Sequence, residues 1–393
     1  MSADWRRAMN SGSRALAAGP SAWSARPAAA SLAPPAGTGT GGLAQGHRGA
    51  ADAAVATATG RRAARARELL VIALLLLYPA VATPFFTFQI GGQTLALGII
   101  ALSLTFLAGY GGMVSLAQMT IAGSAGYAMA ILGGSAVTQI SLGWPWWLAV
   151  PVALLLATLF AAFVGWLSVR TEGIYTIMIT LAIGVAYYYL MQQNYSLFNG
   201  FQGFSKVAPP EILGVDWRSP VPFYYLALAC ALAAYGCVRY LIRAPFGVAL
   251  QGIRDNPRRM NALGFNVNAH RIAAYAVAGF IAAVGGILLT WYNSLVTPGV
   301  VGVTAMINVL IISVLGGLGH PAAAFVGALV FVLLQNFAID LVDRERFNLV
   351  IGGIFLLIVL FSPDGLLGLW RRHGRRLLSA GARDRLARGA TSG

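Results

Sequence analysis

The sequence predicts an all-α polytopic membrane protein, and three observations carry that prediction. Of 393 residues, 58% are hydrophobic and only 10% are charged, against about 25% charge in ordinary soluble domains. Mean hydropathy is +0.72 and there are 47 glycines, the composition of apolar helices that approach one another closely. From Leu69 onward, apolar segments recur at the length needed to cross a hydrocarbon core of about 30 Å. A soluble globular enzyme is excluded at this step.

Taken in order, residues 1–60 are Ala, Gly, Ser, Pro and Arg without apolar periodicity. Such a segment cannot bury enough surface to offset its ordering entropy, so a disordered tail is expected. No continuous apolar stretch follows Arg6 and Arg7, so neither a Sec nor a twin-arginine leader is expected. The transmembrane domain is expected over 61–370, and residues 371–393 form a basic tail. The first set of spans is Leu69–Phe86, Ile90–Ala108, Met113–Leu132, Trp146–Leu167 and Ile174–Met191. The second is Phe223–Ile242, Ile272–Tyr292, Val300–Gly317, Ala322–Ile339 and Phe347–Phe361. The third, eighth and tenth are short or interrupted by glycine, which also suits broken or re-entrant helices.

Charge placement orients these spans. Residues 1–68 hold nine Arg against three acids, and 371–393 hold seven Arg against one. The loop from Arg239 to Arg271 holds six Arg against Asp255 alone. On the opposite face, Lys206 and Arg218 balance Glu211 and Asp216, and the loop around Asp340, Asp343 and Glu345 has one acid in excess. About ten spans with both termini in the cytoplasm puts every basic excess on one side, as the positive-inside rule asks. Eight spans with two re-entrant segments satisfy the same rule. The net charge of +15 therefore belongs to membrane anchoring, with anionic lipid attracting each basic residue by about 1 kcal/mol, rather than to nucleic acid.

Several chemistries are missing. Lys206 is the only lysine and stands in no Gly-rich phosphate loop, so the chain has no nucleotide-hydrolysing motif of its own. His47, His270, His320 and His373 lack ligand spacing, Cys230 and Cys237 make no framework, and no metalloprotease or serine-hydrolase motif occurs, so no metal or catalytic site is expected. Acids are almost absent from span interiors, with Glu172 and Asp340 at span ends. A proton-coupled carrier needs an ionisable group there.

The basic loop 243–270 is the most informative segment. Asn256 suits a helix N-cap, Pro257 the first helical position and Gly264 a left-handed C-cap, which brackets a helix of about two turns. Physics alone leaves two roles open for a short basic helix at the edge of a membrane domain: docking into another protein's cleft, or lying on anionic lipid. A faint internal repeat is visible between Gly109-Tyr110-Gly111-Gly112 and Gly316-Gly317-Leu318-Gly319.

Six segments then resemble one family. They are Gly109 to Gln118, Arg170-Thr171-Glu172-Gly173-Ile174-Tyr175, Gly247 with Ile253-Arg254-Asp255-Asn256, Ala262-Leu263-Gly264, Val314 to Gly319, and Ser362-Pro363-Asp364-Gly365-Leu366. In this order, across about Leu69 to Leu369, they look like the signature segments of LivM-type permeases, subunits of branched-chain amino acid ABC importers. Val248, Gln251, Arg258 and Arg259 depart from the pattern, as does Asn199-Gly200-Phe201-Gln202-Gly203. The resemblance implies an inner-membrane subunit partnered by a second, LivH-like permease, two cytoplasmic ATPases that carry ATP and Mg, and a periplasmic binding protein. It implies an ATPase-coupling role for Gly247, Arg254, Asp255, Asn256, Ala262 and Gly264, and no cofactor on this chain. A permease of the same architecture for urea, short amides or another small polar solute is the alternative, with a passive or ion-coupled carrier behind it. A pathway poor in charge has only hydroxyls, amides and helix-end dipoles to offer a polar solute. Gly111 and Gly112 with Ser115 and Gln118, Thr176 with Thr180, and Thr304 with Asn308 are spaced to share helix faces, and are the expected lining.

Overall fold

The computed structural model describes residues 70–171, 173–210 and 216–341, with isolated positions between 352 and 368. The two tails and Glu172 lie outside the described residues, and the span Phe347–Phe361 is described at only three positions. Nine apolar helices form the described domain: α1 (Leu70–Val81), α2 (Phe86–Gly111), α3 (Gln118–Leu132), α4 (Trp146–Ser168), α5 (Ile174–Gln193) and, beyond a connecting loop, α6 (Pro220–Arg243) lead the chain. Two short helices, α7 (Pro245–Asp255) and α8 (Pro257–Ala262), join α6 to α9 (Val267–Asn293), and α10 (Val303–Gly316) and α11 (Ala323–Leu341) follow. Strand β1 (Phe204–Ser205) pairs antiparallel with β2 (Leu295–Val296), ahead of α10. Three of these nine, α1, α3 and α10, are over their described residues shorter than a bilayer crossing requires.

Five helices, α2, α4, α5, α6 and α9, are 20 to 27 residues long and apolar enough to span a membrane. At 1.5 Å per residue, about 20 residues cover the hydrocarbon core. The predicted spans over Met113–Leu132 and Val300–Gly317 contain helices of only 15 and 14 residues. In the first case the chain leaves the helix at Gly112, whose φ is +67°, and stays irregular until Gln118. Irregular backbone inside a membrane protein needs partners. Here the Thr180 hydroxyl accepts from the Leu116 N–H at 3.1 Å, and the Ser115 hydroxyl lies 3.3 Å from the Ala117 N–H.

Helix α9 is the hub, packing against α2, α3 and α4. Its glycines make that approach close: a Cβ on Gly286 would overlap the Ala122 carbonyl of α3, one on Gly279 the Ala161 side chain of α4, and one on Gly285 would lie 2.7 Å from Ile100 of α2. Lipid offers helices no hydrophobic incentive to associate, so close backbone packing and interhelical hydrogen bonds supply the cohesion. The Ser313 hydroxyl of α10 lies 3.2 Å from the Ala101 carbonyl of α2, and the Tyr292 hydroxyl of α9 donates to Gln89 at 2.9 Å. The Tyr224 hydroxyl of α6 donates to the Leu75 carbonyl of α1 at 2.8 Å.

Candidate coupling site

The loop predicted to hold one short helix holds two. Helix α8 runs as its capping residues dictate: Asn256 accepts from the Arg259 N–H at 3.0 Å, Pro257 opens the helix, and Gly264 has φ +89°. Phe265 N–H reaches the Met260 carbonyl and Gly264 N–H the Asn261 carbonyl, the paired bonds of a Schellman stop. Helix α7 adds to the expected single helix, and its signal is present in the sequence. Pro245 supplies the first position, and Phe246, Ala249, Leu250 and Ile253 recur at helical spacing. Gly247, Ala249, Leu250 and Ile253 are buried while Val248 is exposed. Gly247 lies where a Cβ would meet the Leu241 carbonyl, so glycine permits the sharp reversal from α6 into α7.

The start of α9 is stapled to this segment. The His270 ring stacks on Phe246 at 5.9 Å and meets Phe265 edge-on at 5.7 Å, and its Nδ1 lies 2.9 Å from the Asn266 carbonyl. The histidine thus packs the base of the loop.

Arg254 reaches inward across 145 residues of sequence. Its Nη1 donates to the Gly109 carbonyl at 2.6 Å, and its Nε and Nη2 donate to Asp255 at 3.1 and 3.0 Å. Gly109 lies in the last turn of α2, whose final carbonyls have no partner within the helix and carry the negative end of its dipole. A guanidinium answers both needs, and a short charge-assisted bond is the stronger kind. The ion pair with exposed Asp255 adds about 0–1 kcal/mol.

Other signature segments meet at the same place. A Cβ on Gly109 would overlap the Leu318 carbonyl, and one on Gly365 would overlap the Gly317 backbone. The Tyr110 hydroxyl lies 3.5 Å from the Gly319 carbonyl. The two glycine motifs that suggested a repeat thus touch each other, and the Arg254 and Gly365 segments close on them from either side.

The hydroxyl and amide pairs are placed differently. Ser115, Gln118, Thr176 and Thr180 are buried, whereas Thr304 is exposed and Asn308 half-buried. Gly111 is buried beneath Leu250 of α7, and Gly112 lies under the Arg254 side chain. The Ser103 hydroxyl donates to the Gln118 side-chain amide oxygen at 3.0 Å, and the Thr176 hydroxyl donates to the Thr171 backbone carbonyl at 3.0 Å. Among the described residues, the Gln118 amide nitrogen and the Thr120 hydroxyl on α3 have no partner. Thr120 faces Gly184 of α5 and Met306 of α10. It was not among the expected residues, since a lone threonine in an apolar run carries no sequence signal.

The family described as branched-chain amino acid transport system / permease component matches residues 86–360. This chain belongs to that family. The permease is 26% identical over 332 residues to the high-affinity branched-chain amino acid transport system permease protein LivM of Escherichia coli K12, covering 78% of this chain and 76% of that one. It is 25% identical over 287 residues to the ribose import permease protein RbsC of Haemophilus influenzae, 70% and 84% of the two chains. LivH of E. coli K12 matches at 23% over 297 residues, 70% and 92% of the chains. No solved structure matches the permease. Family membership and the long apolar helices make it a multi-pass membrane protein and the membrane component of a transport system.

Proposed function

We propose that this permease is the LivM-type transmembrane subunit of an ABC importer that moves branched-chain amino acids across a bacterial inner membrane. The carrying observation is the family match across residues 86–360, with LivM relatives covering most of both chains. The similarity to LivH as well as LivM supports pairing with a second permease of the same family. Two cytoplasmic ATPases would bind ATP and Mg, and a periplasmic binding protein would deliver the solute. Both termini and the α7–α8 segment lie in the cytoplasm in this reading.

ATP-driven closure of the ATPase pair displaces α7–α8, and the central pathway between the two permeases opens alternately to each side. Gly247 lets α7 fold back on α6, Asn256 and Gly264 with Ala262 shape α8, and Asp255 holds Arg254 in its seat. Ser115, Thr176 and Thr180 serve the irregular backbone beside the pathway. Gln118 and Thr120 offer the polar atoms that a passing solute can pair with.

Uptake into proteoliposomes tests the reading. The complete importer, loaded with leucine-charged binding protein, should accumulate labelled leucine with ATP, and omission of the ATPases should abolish it. ATP turnover by the isolated permease, surviving controls for contaminants, would overturn the assignment. The RbsC similarity favours one rival, a different small polar solute, which the binding protein's preference for that solute over leucine would establish.

A further inference from the structure

We infer that Arg254 is a strut that makes the coupling segment and the end of α2 move as one body, a positioning role that rests on the importer reading above. Every donor nitrogen of its guanidinium is engaged within the chain: Nη1 by the Gly109 carbonyl, and Nε and Nη2 by Asp255. An arginine that served as a contact for the ATPase would present that edge outward. This one spends Nη1 on the end of α2 and its other edge on the neighbouring Asp255, while the side chain stays 41% exposed.

Its seat is made for it. The side-chain stem lies across Gly112, whose φ of +67° is costly for any residue with a Cβ. A Cβ there would also overlap the Arg254 Cγ. Glycine is therefore required at 112 for both conformation and space. The far end of the strut is braced as well, because Gly109 abuts the Leu318 carbonyl in the turn between α10 and α11. Next along that turn, Gly317 is in contact with Gly365. A displacement of α7 is thus delivered to α2 through this hydrogen bond together with the Leu250 packing on Gly111, and from Gly109 through backbone contact to the turn between α10 and α11.

The test measures ATP hydrolysis and uptake on the same proteoliposomes carrying the complete importer. Arg254→Ala should leave the ATPases bound and hydrolysing, while uptake per ATP falls about tenfold, the size expected when a coupling contact is lost. Arg254→Lys keeps the charge and one donor for Gly109 but cannot fork to Asp255, and should fall between. Gly112→Ala leaves Arg254 present but dislodges its stem, and should reproduce the loss. If Arg254→Ala releases the ATPases while Gly112→Ala transports normally, the guanidinium serves the partner and the strut is wrong. Unchanged uptake per ATP in both variants is equally fatal. Should Arg254→Ala fail to accumulate, Arg254→Lys and Gly112→Ala still decide, since both must lower uptake per ATP. A wild-type complex that hydrolyses ATP without any uptake refutes the importer reading, and the strut with it.

Discussion

Helices α2 and α5 have nearly the same mean hydropathy, yet 89% of the apolar stretch of α2 is buried within the chain against 22% of that of α5. The difference lies in small residues and what they face. Helix α2 meets Phe325 at Gly98 and the Leu318 carbonyl at Gly109, and receives Gly285 of α9 against Ile100. Helix α5 has one such seat, Gly184 against Met306 and Thr120, while Tyr175, Met178, Ala182, Ala186 and Tyr189 are exposed along it. Hydropathy reports transfer out of water and is blind to whether lipid or protein receives the side chain.

The largest effect should come from filling a seat on α2. A Cβ at Gly98 would lie 2.5 Å from the Phe325 ring, so Gly98→Leu forces whole side chains apart. Overpacking of this kind should cost about 3 kcal/mol or more, read as loss of the folded species in detergent thermal melts. A stable Gly98→Leu variant would mean that α2 and α11 are looser than drawn.

Placing a charge on α5 should cost somewhat less. Ala182 lies mid-helix and exposed, so Ala182→Arg meets lipid or a partner subunit rather than this chain's core. Its penalty should be near the insertion cost of about 2.5 kcal/mol, measurable as reduced membrane insertion of the α4–α5 hairpin. A charge tolerated without loss would mean that water reaches α5 and that this face lines an aqueous path.

The contrast also shows how much could be read from the sequence. The span positions of α4, α6 and α9 follow directly from apolar length, and the start and stop of α8 from Asn256, Pro257 and Gly264. The truncation of the third and eighth spans was only partly visible, because Gly112 announces a break but the hydroxyls that support the irregular chain are single residues on other segments. Helix α7 is harder to read from the sequence, because its 11 residues carry only four spaced apolar positions and no side-chain N-cap. The six signature segments were legible one by one, whereas the contact of Arg254 with Gly109 was not. No local pattern encodes which of many orphan carbonyls a guanidinium 145 residues away will find.

A smaller effect is expected from the polar contacts inside the buried region. Ser103→Ala removes the hydroxyl that donates to Gln118 on α3 and lies 2.6 Å from the Ile100 carbonyl. Membrane double-mutant cycles average about 0.6 kcal/mol for such bonds, so the melt should shift by only a degree or two. A cycle with Gln118→Leu should recover most of that coupling. Additive losses would show that the two side chains do not interact.

The smallest effect belongs to apolar exchange on the outer face of α5, and it is the most discriminating. Met178 is 60% exposed and Leu190 51%, so Met178→Leu and Leu190→Met change few contacts within the chain and should move its stability by less than about 0.5 kcal/mol. The same swaps made in the assembled importer ask a second question. If the isolated permease is unaffected while copurification of the second permease falls, the stripe from Tyr175 to Tyr189 is a subunit interface. If neither changes, lipid covers it, because a fluid solvent accommodates either shape. A loss of more than about 1 kcal/mol in the isolated chain would require α5 to be packed against its own bundle, and the contrast with α2 would collapse.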